Sequence, residues 1–145
     1  MRGSHSISPA WSWLLLAVLS LISSPRAEAT ILSSSPDWAV GEGELSNYFG
    51  YHVNTAGDVD GDGYSDVIVA CPALNNGDGG AFVYCGRPYG LSPTACWQVE
   101  GWQPDRQFGY NVATAGDVNG DGFADIIVGA WGYEYEQPLE GAAFV

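Results

Sequence analysis

Two short segments of the chain place oxygen-bearing side chains at positions 1, 3, 5 and 9 of a nine-residue stretch. In the first segment these positions hold Asp58, Asp60, Asp62 and Asp66. In the second segment they hold Asp117, Asn119, Asp121 and Asp125. Alternate side chains of a tight loop point to one side, so positions 1, 3 and 5 are expected to converge. Hard oxygen ligands of this kind suit Ca²⁺, which takes about six to eight of them.

The residues between these positions complete the expected calcium loop. Gly63 and Gly122, at position 6, permit a sharp turn that a residue with a Cβ would not. Position 7 offers a backbone carbonyl, from Tyr64 or Phe123. We therefore predict one Ca²⁺ per acidic loop, two in all, with the position 9 carboxylate closing each cage. Because Asn119 replaces a carboxylate by an amide, the second site is expected to be the weaker.

Other interpretations of the two loops fit their residues less well. An EF-hand needs Glu at position 12 and helical flanks, whereas Val69 and Val128 stand there and a Val/Ile strand is predicted to begin at position 9. Zn²⁺ favours Cys or His, and neither loop contains one. A pair of solvated Asp-Gly turns remains as the alternative, since both residues favour turns. Against it, four carboxylates in one short loop repel one another without a cation.

The loops belong to an internal repeat with an offset of 59 residues. Between positions 49–72 and 108–131, 15 of 24 residues are identical. In the first copy, the runs 51–56, 66–70, 80–84 and 97–100 have the composition of short strands. The run 66–70 is continuous and β-branched, which indicates a strand buried on both faces. Four strands per period predict one four-stranded sheet per repeat, as in a β-propeller.

The motifs of the repeat resemble those of a known family. Phe49-Gly50 and Phe108-Gly109, each followed by its acidic loop, resemble the FG-GAP repeat, the blade unit of the integrin α-chain propeller. The third element departs from the family pattern, with Ala70-Cys71-Pro72 in one copy and Gly129-Ala130-Trp131 in the other. The resemblance implies an all-β fold of two FG-GAP blades of an incomplete β-propeller, with the second blade truncated. It also implies Ca²⁺ at the loop of each blade.

The resemblance covers roughly residues 38–145, and the linking stretch 83–97 is similar to bacterial secreted proteins with tandem FG-GAP repeats. We expect residues 30–45 to form an N-terminal segment with a first outer strand. Residues 46–104 are expected to form FG-GAP repeat 1, and residues 105–145 a partial FG-GAP repeat 2. A propeller typically needs four to eight blades, so a truncated product or gene fragment is expected. The alternative is that several copies assemble to close a ring.

Residues 1–29 have the pattern of a secretory signal peptide. An apolar run at 11–22 is followed by Pro25 and by Ala27-Glu28-Ala29, which suits cleavage after Ala29. The run is shorter than the roughly 20 residues of a membrane span, although an uncleaved anchor and a buried helix remain as alternatives. The protein is therefore expected to be secreted, at an extracellular or cell-surface location, with no membrane insertion after signal cleavage.

The charge of the chain excludes several classes of partner. The 17 acidic residues outnumber four Arg, no Lys is present, and the formal net charge is −13. Such a chain offers almost nothing to neutralise phosphates, which argues against nucleic acid and against an anionic membrane surface. No G-x-S-x-G or phosphate-loop motif occurs, and His52 has no partner at useful spacing. No catalytic residue is therefore predicted.

The resulting hypothesis is a secreted, Ca²⁺-binding, integrin-α-like propeller segment without catalysis of its own. By analogy of fold alone, its partner would be an unknown extracellular protein or glycan in adhesion. Two alternatives remain open. One is an accessory propeller module of a larger extracellular hydrolase or lyase, and the other is a purely structural repeat scaffold.

The cysteines and the repeated aromatic residues are predicted to have structural roles. Cys85 and Cys96 bracket a turn and could form a disulfide across it. Pairing of Cys71 with either of them, or three reduced thiols, are the alternatives. Recurring aromatic residues are expected to pack between neighbouring blades, and these are Trp38, Phe49, Trp97 and Phe108.

Overall fold

A computed structural model of the chain describes residues 35–41, 48–104 and 106–145, all within the unit Ser35–Val145. The signal peptide predicted at 1–29 lies outside the described residues. Residues 35–41 carry no strand, and the rest of the segment 30–45 is not described, so the first outer strand stays a prediction. Within the described ranges, no helix is long and apolar enough to cross a membrane.

The described residues form short strands and one helical turn. In chain order these are β1 (Val53–Gly57), β2 (Asp66–Ala70), α1 (Leu74–Gly77), β3 (Gly80–Tyr84), β4 (Gly86–Arg87), β5 (Gly90–Leu91), β6 (Trp97–Glu100), β7 (Asn111–Gly116), β8 (Asp125–Ala130) and β9 (Ala142–Phe144). The turn α1 contains Asn75 and Asn76 at positive φ. It lies between β2 and β3, where the run Asn75-Asn76-Gly77 has the residue types that favour turns.

The first repeat folds into one four-stranded antiparallel sheet, in the order β1-β2-β3-β6. Its second strand is buried on both faces, as the unbroken β-branched run predicts. Ile68 and Ala70 pack in one core cluster, and Val69 and Cys71 pack in another. Because side chains alternate along a strand, these two clusters lie on opposite faces of β2.

The second repeat follows the same plan, with an antiparallel sheet in the order β7-β8-β9. The register shift between Thr55 and Gly57 in the first sheet recurs between Thr114 and Gly116 in the second. The two sheets meet along β1 and β7. The structure thus confirms an all-β fold, with a four-stranded blade beside three strands of a second.

Equivalent residues of the two repeats touch across this junction. The Tyr51 hydroxyl donates to the Tyr110 hydroxyl at 3.1 Å, and their ring centroids are 5.2 Å apart. The hydrogen bond to Tyr110 raises the pKa of the Tyr51 phenol above its ordinary value. The two residues are separated by 59 positions, which is the repeat offset. The contact therefore shows that successive repeats stack as neighbouring blades.

The Phe-Gly pair of the second repeat joins the two blades. Phe108 is only 5% exposed, and its backbone N–H donates to the Asp78 carbonyl at 3.2 Å. Gly109 has a φ of +82°, and a Cβ there would run into the carbonyl oxygen of Gly80. A side chain at position 109 would therefore collide with the first blade. This close approach is the physical reason for a glycine after the phenylalanine.

The four recurring aromatic residues lie in different environments. Phe108 packs between the blades as predicted, in a core cluster that contains Ala81 of the first blade and Val128 of the second. Trp38 and Phe49 pack on the other face of the first sheet, against Tyr84 and Phe82 respectively. Trp97 is 41% exposed.

One disulfide joins Cys85 to Cys96, with their Cα atoms 5.9 Å apart. This confirms the pairing across the turn and excludes the two alternatives that involve Cys71. Cys71 is fully buried in the first blade. The disulfide encloses the small β4–β5 hairpin, whose first residue, Gly86, follows Cys85 directly. That hairpin reaches the first acidic loop.

Candidate metal centre

The first acidic loop is organised around Asp58. The Asp58 Oδ1 atom accepts hydrogen bonds from the N–H groups of Gly61 at 2.7 Å and Asp62 at 3.1 Å. Its Oδ2 atom accepts from the Gly63 N–H at 2.9 Å. A carboxylate offers about four lone-pair sites, so these three bonds fix the loop and leave acceptor capacity for a cation. The φ of Gly63 is +88°, which confirms the sharp turn expected at position 6.

Positions 3 and 5 make shorter-range turns within the loop. Asp60 Oδ1 accepts from the Asp62 N–H at 3.3 Å, and Asp62 Oδ1 accepts from the Tyr64 N–H at 3.0 Å. These are side-chain turns of the kind that aspartate favours. Because these bonds use the Oδ1 atoms, the Oδ2 atoms of Asp60 and Asp62 take no part in them.

Asp66, at position 9, is the fully buried member of the loop. Its Oδ2 atom accepts from the Val59 N–H at 2.8 Å, and its Oδ1 atom accepts from the Gly86 N–H at 2.7 Å. A Cβ at Gly86 would stand 2.5 Å from the carbonyl oxygen of Ser65. Glycine at position 86 therefore lets the β4–β5 hairpin close onto the loop.

The second loop repeats the same hydrogen-bond network. Asp117 Oδ1 accepts from Gly120 at 2.7 Å and from Asp121 at 3.0 Å, and its Oδ2 accepts from Gly122 at 3.0 Å. Asn119 Oδ1 accepts from the Asp121 N–H at 2.8 Å. The amide at position 3 thus makes the same local bond as Asp60 does in the first loop.

The end of the second loop also matches the first. Asp121 Oδ1 accepts from the Phe123 N–H at 2.9 Å, and Asp125 Oδ2 accepts from the Val118 N–H at 2.8 Å. Gly122 has a φ of +93°. The two loops differ at three of their nine positions and adopt one conformation, in which the aspartates and glycines that they share make most of the hydrogen bonds.

The two loops lie against each other. The Ala124 N–H donates to the Asp58 carbonyl at 2.8 Å. Gly61 approaches the Phe123 ring so closely that a Cβ would lie 2.5 Å from a ring atom. The seven carboxylates of the two loops therefore gather in one region of the molecule, which makes neutralising cations favourable there.

Three carboxylates of the first loop have the spacing of a cation site. Oxygen atoms of Asp58, Asp60 and Asp66 lie within 4.8 Å of one another. Two ligands of one ion at about 2.4 Å are at most about 4.8 Å apart, so one hard cation fits among them. A divalent cation there would offset two of the three negative charges and tie position 1 of the loop to position 9. Asp62 stands outside this group of three.

Asp62 and Asp60 both form ion pairs with Arg87. The spacing of the acidic residues in the sequence did not predict this contact. The Arg87 Nη1 atom donates to Asp60 Oδ2 at 2.9 Å and also to Asp62 Oδ2. The hydrogen bonds that Arg87 donates to Asp60 and, to a lesser extent, to Asp62 raise the pKa of its guanidinium. The sequence held one indication of this ion pair: Arg87 and Arg106 are the only Arg or Lys residues after position 29, so few cations are available to the many carboxylates.

Comparison with known proteins adds the family. The family model for the FG-GAP repeat matches residues 108–136, which contain the second acidic loop. Integrin alpha pat-2 of Caenorhabditis briggsae is 41% identical over 88 residues, covering 57% of this chain and 7% of the relative. Integrin alpha-PS2 of Drosophila melanogaster is 37% identical over 97 residues, covering 60% of this chain and 7% of the relative. Integrin alpha-IIb of Mus musculus is 33% identical over 101 residues, covering 68% and 10%.

The chain spans about a tenth or less of the length of these relatives. They are animal proteins, so the similarity to bacterial secreted proteins gains no support from them and stays a prediction. The family match, the relatives and the two stacked blades agree with the Phe-Gly pairs and acidic loops of the sequence. The chain is therefore an FG-GAP repeat protein with integrin-α-like repeats.

Proposed function

We propose that the chain is an extracellular, Ca²⁺-binding segment of an integrin-α-like β-propeller that binds other molecules and carries out no catalysis. The observation that supports this most strongly is the group of three carboxylates in the first loop, set in a hydrogen-bond network that the second loop reproduces. In this proposal residues 46–104 form repeat 1 and residues 105–145 form part of repeat 2.

Each loop would hold one Ca²⁺ through carboxylate, amide and backbone carbonyl oxygens. The proposed ligands are Asp58, Asp60, Asp62, Tyr64, Asp66, Asp117, Asn119, Asp121, Phe123 and Asp125. The backbone hydrogen bonds to Asp58 and Asp117 fix the shape of the two loops. The ion would supply positive charge where seven carboxylates meet, and would hold each loop against its neighbour.

The role in adhesion is proposed from the relatives, which are integrin α-chains. A propeller segment of this kind would display loops and exposed side chains to an extracellular protein or a glycan. The protein would accordingly be secreted or exposed at the cell surface.

Calorimetric titration of EDTA-treated protein with Ca²⁺ tests the proposal. Two sites are expected, with dissociation constants of about 10⁻⁴–10⁻³ M, the range of extracellular modules. Asp62→Asn combined with Asp121→Asn should weaken both sites, because each substitution removes a charge and keeps an Oδ1 acceptor for the loop. Asp37→Asn, which removes one negative charge from an exposed residue outside the loops, should leave binding unchanged. Absence of heat with folded protein would contradict the proposal.

A further inference from the structure

The two acidic loops differ in charge by one carboxylate, and Arg87 stands beside that carboxylate. Position 3 is Asp60 in the first loop and Asn119 in the second. Arg87 Nη1 donates to Asp60 Oδ2 at 2.9 Å and to Asp62 Oδ2 as well. The guanidinium therefore brings the first loop from four negative charges to three. Three is also the number in the second loop.

Arg87 and a cation in the first loop would draw on the same side chain. Asp60 belongs to the group of three carboxylates whose oxygens lie within 4.8 Å of one another, and it is also an ion-pair partner of Arg87. A guanidinium donor and a metal ion both require carboxylate lone pairs and both compensate negative charge. Binding of one must weaken the hold of the other on Asp60.

The position of Arg87 is built into the fold around it. Its neighbour Gly86 donates to the buried Asp66 Oδ1 at 2.7 Å, and Arg87 Nη1 itself donates to the Gly86 carbonyl at 2.9 Å. The Cys85–Cys96 disulfide closes the same hairpin. The fold thus places the guanidinium at the loop, and the Arg87 side chain is 44% exposed, so that water can solvate it where a cation takes Asp60.

Among the ion pairs of the described residues, none reaches the second loop. The other pair joins Arg106 to Glu134, with a distance of 2.8 Å from Nη2 to Oε1. Arg106 therefore offers a matched arginine that lies in an ion pair of similar exposure outside both acidic loops.

We propose that Arg87 is a built-in counter-charge that competes with the divalent cation for Asp60 and Asp62, and thereby lowers the cation affinity of the first loop to near that of the second. This inference rests on the proposed function of Ca²⁺ binding. Asn119 alone would make the second loop the weaker Ca²⁺ site. Arg87 acts in the opposite direction, because it lowers the affinity of the first loop.

The test is a Ca²⁺ titration of the isotope-labelled protein followed by NMR. The backbone N–H groups of Gly63 and Gly122 report the first and second loops separately, because each donates to the position 1 aspartate of its own loop. Arg87→Gln should tighten binding at the first loop about fivefold, in line with the small energies of exposed ion pairs. The second loop serves as an internal reference. Arg87→Lys should retain most of the wild-type behaviour, and Arg106→Gln should change neither loop.

A double-substitution cycle makes the test specific to the pair. In an Asp60→Asn background, Arg87→Gln should tighten the first loop much less than it does in the wild type. The first loop could bind Ca²⁺, as reported by Gly63, with equal affinity in the wild type and in Arg87→Gln. That result would overturn the proposed role of Arg87 and leave the proposed function intact. Failure of Gly63 and Gly122 to respond to Ca²⁺ in every variant would overturn both.

Discussion

Asp66 differs from the other carboxylates of the first loop because it is fully buried, whereas its counterpart Asp125 is only partly so. Asp66 accepts one hydrogen bond from the loop, through Val59, and one from the hairpin, through Gly86. Burying a charge is costly unless it is compensated by hydrogen bonds. These two bonds therefore make Asp66 a structural residue as well as a proposed ligand.

Asp66→Ala should lower the free energy of unfolding by about 2–4 kcal/mol, because it leaves two N–H groups without an acceptor. Asp125→Ala is the matched control and should cost about 1 kcal/mol, since one backbone N–H donates to that side chain. Urea denaturation in EDTA measures both without a contribution from metal. An equal decrease in the free energy of unfolding in the two variants would show that the buried hydrogen bonds of Asp66 add no stability beyond that of Asp125.

At the scale of residues, the sequence predicts what is local and misses what is distant. The aspartates and glycines of each loop lie within nine positions, so the hydrogen bonds that they make to one another could be predicted from their spacing. Arg87 lies 27 positions from Asp60 and 25 from Asp62. Its contact with them depends on how β4 and β5 fold back, which spacing alone does not encode.

At the scale of elements, short runs of apolar residues predicted the limits of several strands. The strands β2, β3 and β6 begin and end where the sequence places them. The strand β1 begins at Val53 instead of Tyr51, because the Tyr51 N–H donates to Tyr48 in a turn. The stretch after Cys85 was predicted as a turn, and it contains the two-stranded β4–β5 hairpin. Two-residue strands have no periodicity to read.

The disulfide around that hairpin should make a measurable contribution to stability. Cys85 and Cys96 are 11 positions apart, and closing a loop of that length is expected to contribute about 3 kcal/mol. Replacing both cysteines by serine should lower the midpoint of urea denaturation accordingly. Dithiothreitol should lower the midpoint of the wild type and leave that of the variant unchanged. A wild-type protein indifferent to reduction would contradict the structural role of the disulfide.

At the scale of the whole molecule, the two blades bring the acidic loops together. Three contacts join the successive repeats: the Phe108-Gly109 pair against the first blade, the bond from Ala124 to Asp58, and the contact between the equivalent residues Tyr51 and Tyr110. Stacking was foreseeable from the repeat offset, because equivalent positions of adjacent blades must lie side by side. The contact of the Phe123 ring with Gly61 depends on the distance and angle between the blades. The repeat offset does not give these quantities.

This concentration of negative charge is what a bound cation would relieve, and calcium at the acidic loops is the central claim. The most direct measurement is a crystal structure of the protein grown in millimolar Ca²⁺. We expect one ion in each loop, at about 2.3–2.6 Å from oxygens that include those of Asp58 and Asp117. Loops that keep their hydrogen bonds in such a crystal, with solvent alone between the aspartates, would contradict it.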